Sequence, residues 1–509
     1  LKFNLNSFVR LKGWVFWPPF LLLVTALIYS LVDSASFLEQ VTDINNWILK
    51  HFDWLFSYTS FFMVLVCVAI MVSPIGKLKI GGKDAVPILN RWRWFTVILC
   101  TTIAVGILFW GVAEPLYHLQ GPPKSLGADP MSNEAENFSI STVFMHWSFT
   151  PYAIYAIPAL LFALAYYNRR RSYSLGSILF PFIPADRSGK LNTILDAVCL
   201  FALVAGMSAV LGVGILSLSG GIAQLTGTAT TPWILGLITI AIVATFTISA
   251  ASGLLKGIKT LSAINVVIFI GIALFVLLFG PTAEIFGYMG KGLGEYVTNF
   301  VPQSLGTGDY SDTEWTHSWT TFYWANWMAW APITALFLGR IGYGYTVREF
   351  MLFNWIIPAC FSILWMSIFS GTSLHMELSG TGDLIKSLNE NGTESIIYVI
   401  FNELPLSLLL IPVFLIAVFI SYVTAADSNT EAMSGISTTG ISPESPGSPV
   451  AIKFLWGIII GLMAWTMVSF AGIDGIRMLS NLGGFPALIL LLAATIGMVV
   501  LLVRYRKKD

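Results

Sequence analysis

Long apolar runs, separated by short basic, acidic or glycine-rich connections, set the pattern of this chain. Runs long enough to cross a bilayer lie near 14–32, 54–72, 94–113, 142–167, 193–211, 232–250, 261–279, 319–338, 350–370, 405–424, 453–471 and 484–503. They predict twelve transmembrane helices, an all-α polytopic membrane protein, and the even count puts both termini on one side. The connections agree with this: of the 27 basic residues, only Lys50, Lys124, Lys291, Lys386 and Arg477 fall outside the loops assigned to the inner face. The positive-inside rule therefore predicts a multi-pass protein of the cell (inner) membrane with both termini cytoplasmic. The first run, from Trp14, is long enough to span and lacks a cleavage site, so it reads as a span and not as a leader. Numbering opens at Leu1, which leaves room for further residues before it.

Four connections have a character of their own. Ala283 to Val301 mixes apolar residues with Glu284, Lys291, Glu295 and four glycines, which suits an amphipathic segment lying on the outer surface. Gly306 to Thr316 is acidic and turn-rich, an external loop. Ile341 to Glu349 is a short inner connection, and Ser437 to Ser448, rich in Ser, Gly and Pro, is another inner loop.

Composition supports the membrane assignment. Of 509 residues, 56% are hydrophobic and only 11% charged, too little charge for the surface of a soluble protein of this size. The formal net charge of zero argues against a nucleic-acid partner. Cys67, Cys100, Cys199 and Cys360 have neither metal-ligand nor disulfide spacing and are expected as small core residues. Signatures of metalloproteases, phosphate loops and nucleophile elbows are missing, so an enzyme is not expected.

The candidate chemistry is aromatic. In Phe322 to Pro332, Trp324, Trp327 and Trp330 recur every three residues and form a drifting stripe on a helix. A second cluster, Trp147, Tyr152 and Tyr155, lies in another apolar run, with His146 beside it as a packing or hydrogen-bonding residue. Two such clusters either wall a cage for a quaternary ammonium ion, held by cation–π attraction, or serve as interfacial belts and helix packing. Ser421, Thr424 and Ser428 fall at helical spacing and offer oxygens to a small cation. Asp427 reads equally as a functional intramembrane charge or as a helix cap. In the third run, Ala104, Gly106 and Gly111 permit close approach to the backbone, by a ligand or by a neighbouring helix.

Several motifs together resemble the betaine/choline/carnitine transporter family. They are Phe109-Trp-Gly-Val-Ala-Glu-Pro115, His146-Trp147 with Pro151-Tyr-Ala-Ile-Tyr155, Lys256-Gly-Ile-Lys259, Trp324-Ala-Asn-Trp-Met-Ala-Trp-Ala-Pro332, Phe337-Leu-Gly-Arg-Ile, Thr346-Val-Arg-Glu-Phe and Thr424-Ala-Ala-Asp-Ser428. They occur in family order over nearly the whole chain. The resemblance implies two inverted five-helix repeats, predicted helices 3–7 and 8–12, with the substrate site between them. The organisation expected is 1–90 for the N-terminal tail and helices 1–2, 91–282 for the first repeat, 283–318 for the external amphipathic segment and loop, 319–503 for the second repeat, and 504–509 for a short basic tail.

By the same resemblance, Trp147, Tyr152, Tyr155 and Trp327 form the trimethylammonium box, Trp330 lines the pathway and Trp324 packs. Asn326 and Tyr152 stand where the betaine-transporting pattern has tryptophan, which suits a compact, polar ligand such as a betaine or trimethylamine N-oxide over carnitine. A sodium site would draw on the backbone at Ile103, on Ser421 and Thr424, and on Ala425, where the family pattern has serine. A second family sodium site is not expected, because its threonine positions read Leu203 and Met207. The function implied is import of a trimethylammonium osmolyte by sodium symport, with no other cofactor, in a homotrimer. The alternatives are sodium-independent exchange, to which Lys259 is relevant, and a non-transporting osmolyte sensor. The long charged extension of osmosensing members is not present after Arg504 to Asp509, so activation through such a tail is not expected.

Overall fold

The computed structural model describes residues 11–102, 106–187, 189–251, 254–441 and 448–506. Nearly all of it is helix: α1 Gly13–Val32, α2 Ser34–Val72, α3 Arg91–Thr102, α4 Gly106–Gln120, α5 Asn133–Trp147, α6 Phe149–Ala163, α7 Gly189–Thr226, α8 Pro232–Ala251, α9 Leu254–Phe279 and α10 Thr282–Thr298. Then come α11 Phe300–Leu305, α12 Thr313–Thr316, α13 Phe322–Ile341, α14 Val347–Met351, α15 Ile357–Ser379, α16 Leu384–Asn391, α17 Ile396–Glu403, α18 Ser407–Ser437 and α19 Val450–Arg506. Among the described residues the only extended pairing is two isolated bridges, Leu11 with Thr438 and Lys79 with Thr346.

Among the described residues, eight helical stretches are each long and apolar enough to cross a membrane, or nine if the bent pair α9–α10 counts as one span. Among the described residues each of the twelve predicted runs overlaps helix, but with different boundaries. The second run begins at 54, yet α2 starts at Ser34, capped by the Asp33 side chain, which accepts the Ser36 N–H at 3.1 Å. The extra turns are helical because Phe37, Val41, Asn45, Ile48 and Leu49 recur at three- to four-residue spacing and bury one face. The last two runs share α19, which breaks at Gly472, where φ is 54° and ψ −133°.

The broken places locate the site. Ser148, at φ −115° and ψ −115°, separates α5 from α6 inside one apolar run. Between α9 and α10 the chain turns through 107° at Gly280–Pro281. That bend lays α10 across the bundle as the predicted amphipathic segment, burying Ile285, Tyr288, Gly292 and Tyr296. Outward-facing side chains are apolar: Trp14, Trp233 and Leu408 are each more than four-fifths exposed, as a lipid-facing surface requires. At the predicted inner face, Glu431 of α18 pairs with Lys453 of α19 and lies 3.7 Å from Arg340 at the end of α13. One buried carboxylate thus ties three helix ends together.

Two expectations are corrected. Cys360 is exposed, although Cys67 and Cys199 are buried as predicted. Asp427 is not a cap: it lies inside α18, and its carboxylate accepts the Ser249 hydroxyl from α8 at 2.7 Å.

Candidate substrate site

The break at Ser148 allows one apolar run to contribute two differently directed walls. Trp147 is the last residue of α5, while Tyr152 and Tyr155 lie three apart on α6 and so share a face. On α13, Tyr323 and Trp327 are four apart and also share a face. The Trp327 ring meets Trp147 at a centroid distance of 5.3 Å and 81° between planes, and Tyr155 at 5.4 Å and 71°. Tyr152 is 6.4 Å away. Near-perpendicular planes are the arrangement of adjoining walls, whereas stacking would hide both ring faces. All four rings are buried. Three residues of the expected box therefore surround the fourth, Trp327.

The other two expected substrate residues stand apart. Asn326 accepts the Ser480 hydroxyl from α19 at 3.0 Å, so its carboxamide is directed to that helix and away from the rings. Trp330 is buried but makes no ring–ring contact among the described residues. Trp324 is fully buried and meets His146 edge-on at 5.7 Å, in keeping with a packing role.

Behind the rings lies a residue that the motif reading passed over. Glu114 of α4 is fully buried, and its carboxylate accepts four donors. Trp147 Nε1 donates at 2.6 Å and the Tyr323 hydroxyl at 2.5 Å, both to Oε2. His146 Nδ1 lies at 2.6 Å and His118 Nε2 at 3.2 Å from Oε1. The other His146 nitrogen is 3.1 Å from the Thr320 hydroxyl, and Trp327 Nε1 donates to the His146 carbonyl at 3.1 Å. Glu114, His118 and His146 are close enough together to suggest a metal site. Their nitrogens are, however, already directed at the same carboxylate oxygen, and two atoms 2.6 Å apart are too close to ligate one ion comfortably. The cluster reads as a hydrogen-bond hub. A lone carboxylate in an apolar run, with His118 four residues on, was the signal available in the sequence.

Around the expected sodium site, Ser421 and Thr424 of α18 are both fully buried. The Ser421 hydroxyl accepts from Asn265 Nδ2 of α9 at 2.7 Å, and the Thr424 hydroxyl donates to the Ile420 carbonyl at 2.7 Å. Each oxygen keeps lone-pair capacity for a cation. Ala425 is buried and has no side-chain oxygen to offer. Ile103 and the side chains of Ser428 and Lys259 lie outside the described residues. Leu203 and Met207 of α7 are buried and apolar.

The family model described as BCCT, betaine/carnitine/choline family transporter, matches residues 14–507. The chain belongs to this family. It is 30% identical to the glycine betaine transporter OpuD of Bacillus subtilis, over 94% of this chain and 92% of that one. It is also 30% identical to glycine betaine transporter 1 of Vibrio parahaemolyticus, over 89% and 86%. To the ectoine/hydroxyectoine transporter of Virgibacillus pantothenticus it is 27% identical, over 90% of both chains. This BCCT protein is thus a multi-pass membrane transporter of the betaine and osmolyte class, and not an enzyme.

Proposed function

We propose that this transporter imports a trimethylammonium osmolyte, glycine betaine or a similarly compact compound, by sodium-coupled alternating access. The observation that carries the reading is the set of Trp147, Tyr152 and Tyr155 around Trp327. A trimethylammonium head has no N–H to donate, so ring faces are its natural complement, and the buried Glu114 charge adds attraction from behind. Trimethylamine N-oxide and choline carry the same kind of head and remain within this class.

Coupling requires one conformational change that both ligands bias. Ser421, Thr424 and the backbone opposite them would hold the sodium ion, and α18 would transmit its binding to the rings on α6 and α13. The protein would cross the inner membrane twelve times with both termini cytoplasmic, as two inverted repeats over 91–282 and 319–503, in a homotrimer. Placement of short helical connections at 164–187 and 384–403, each between corresponding long helices, is in keeping with the repeats.

Buried apolar Leu203 and Met207 support a single sodium ion over two, and they also favour the rival reading of sodium-independent exchange. Uptake of labelled glycine betaine into proteoliposomes decides between the two. Accumulation that requires an inward sodium gradient is expected; uptake that ignores sodium but needs preloaded substrate establishes exchange. Trp327→Ala should abolish substrate binding while the protein stays folded, and unchanged affinity would refute the box.

A further inference from the structure

A cleft of about 770 Å³ lies where the ends of α2 and α19 meet the segment that follows α6. Its walls are of two kinds. Ile75, Leu78 and Leu501 form an apolar side, and Arg169, Arg171 and Arg504 form a cationic one. Among the described residues no carboxylate lines it. Arg171 and Arg504 each spend one N–H on a backbone carbonyl, of Ile183 at 3.0 Å and Pro181 at 3.1 Å, which fixes their stems and leaves further donors. The Arg169 side chain is exposed and has no hydrogen-bonded or ionic partner among the described residues.

A second, smaller recess of about 200 Å³ continues from the first, sharing Ile75 and Tyr505 with it. It runs between Ala69 of α2 and Val503 of α19 and is almost wholly apolar. Beside it, Val72 and Val503 are exposed large apolar side chains, the marks of a surface that faces acyl chains. A cationic cleft opening into a lipid-facing groove has the two chemistries of a phospholipid in the right order.

We propose that this cleft binds the phosphate headgroup of an anionic phospholipid, with one acyl chain in the groove between α2 and α19. Guanidinium forks match phosphate oxygens, and basic pockets between helices on the cytoplasmic side suit such headgroups. Which leaflet supplies the lipid follows from the orientation proposed above, but binding itself does not depend on that orientation or on the substrate.

The test uses the full chain purified in an uncharged detergent. Short-chain phosphatidylglycerol, short-chain phosphatidylcholine and glycerol 3-phosphate are titrated separately while the thermal unfolding midpoint is followed. Saturable stabilisation by phosphatidylglycerol alone is expected. Arg169→Gln should raise the half-saturating concentration about fivefold, as should Arg504→Gln, on the scale of one basic residue at a membrane surface. Lys190→Gln, an exposed charge outside the cleft, should change nothing. Equal stabilisation by phosphatidylcholine, or an unaltered midpoint curve in Arg169→Gln, overturns the proposal. Glycerol 3-phosphate acting as well as the lipid overturns the acyl-chain half of it. If Arg504→Gln fails to fold, Arg169→Gln still decides, because its exposed side chain holds no other part of the structure in place. Failed substrate transport with intact lipid stabilisation would count against the transport reading only.

Discussion

Trp147 gives its indole N–H to the Glu114 carboxylate at 2.6 Å while its ring meets Trp327 at 5.3 Å. The carboxylate therefore orients the ring, and through the Tyr323 hydroxyl it also holds the helix that carries Trp327. Removing the carboxylate altogether leaves four buried donors short of an acceptor, each loss costing about 1–3 kcal/mol. Glu114→Ala is expected to lower the thermal midpoint sharply or to prevent folding. Glu114→Gln keeps the shape but offers one oxygen to four donors and turns an N–H₂ towards two of them. It should fold and bind glycine betaine about tenfold more weakly, measured by ligand-dependent tryptophan fluorescence. Wild-type affinity in Glu114→Gln would show that the hub does not support the box.

Trp147→Phe separates the two tasks of that residue. A phenyl ring keeps an aromatic wall against Trp327 but cannot donate to Glu114. If orientation by the carboxylate matters, affinity falls several-fold in Trp147→Phe and the double change with Glu114→Gln costs less than the sum of the two, because both changes cut the Trp147–Glu114 bond. Additive losses would mean that Glu114 acts on the substrate through its charge and not through the ring.

The ring cluster was legible because aromatic residues at helical spacing announce a shared face, and family motifs named the same four positions. Glu114 was present in the quoted Phe109 to Pro115 run but passed over, since its partners Trp147 and Tyr323 are 33 and 209 residues away and meet only after folding. Asn326 shows the opposite limit. It adjoins Trp327 in sequence, yet one residue rotates the side chain by about 100° around the helix, and it reaches Ser480 instead. Boundaries failed where no breaker stands in the sequence: α2 extends back to Ser34 because its polar half is amphipathic, not because it is apolar.

Asn265 is the residue to test beside the oxygen row of α18. Its Nδ2 donates to the Ser421 hydroxyl at 2.7 Å and so sets which lone pair remains for a cation. Asn265→Ala and Ser421→Ala should each raise the sodium concentration for half-maximal uptake, with substrate affinity at saturating sodium unchanged. The double variant should resemble the worse single one, since both disturb one pair. Normal sodium dependence in all three would place the ion elsewhere.

A pH effect is expected at the inner connection. Burial alone would raise the Glu349 carboxyl, but bonds from Arg91 at 2.7 Å and from the Thr346 N–H and hydroxyl hold it below the usual range. A carboxyl depressed in the folded state adds stability above its unfolded value, about 4.3, and that stability is lost as pH falls through the folded value. Wild type should therefore melt higher than Glu349→Gln near pH 7, and the gap should close towards pH 3. A gap that stays constant with pH would mean that the ionised carboxylate contributes nothing.

The joint between α7 and α18 has no room for a methyl group at Gly214. A Cβ there would stand 1.6 Å from a ring carbon of Tyr422, and the Gly214 N–H also donates to the Tyr422 hydroxyl at 2.9 Å. Both residues are buried, so neither the ring nor the helix can move aside into solvent. Overpacking of a tight core costs about 1–3 kcal/mol, and a contact this short belongs at or beyond the upper end. Gly214→Ala is therefore expected to lower the thermal midpoint markedly and to reduce the folded yield in detergent. A smaller partner should make room: Gly214→Ala with Tyr422→Leu should melt above Gly214→Ala alone, although Tyr422→Leu by itself destabilises by leaving a cavity. Such a sign reversal arises only if the two side chains compete for one space. Simple addition of the two losses would show that α7 and α18 are not packed at this point as described. Because α18 also carries Ser421 and Thr424, sodium dependence should shift in Gly214→Ala whenever enough protein folds to measure it.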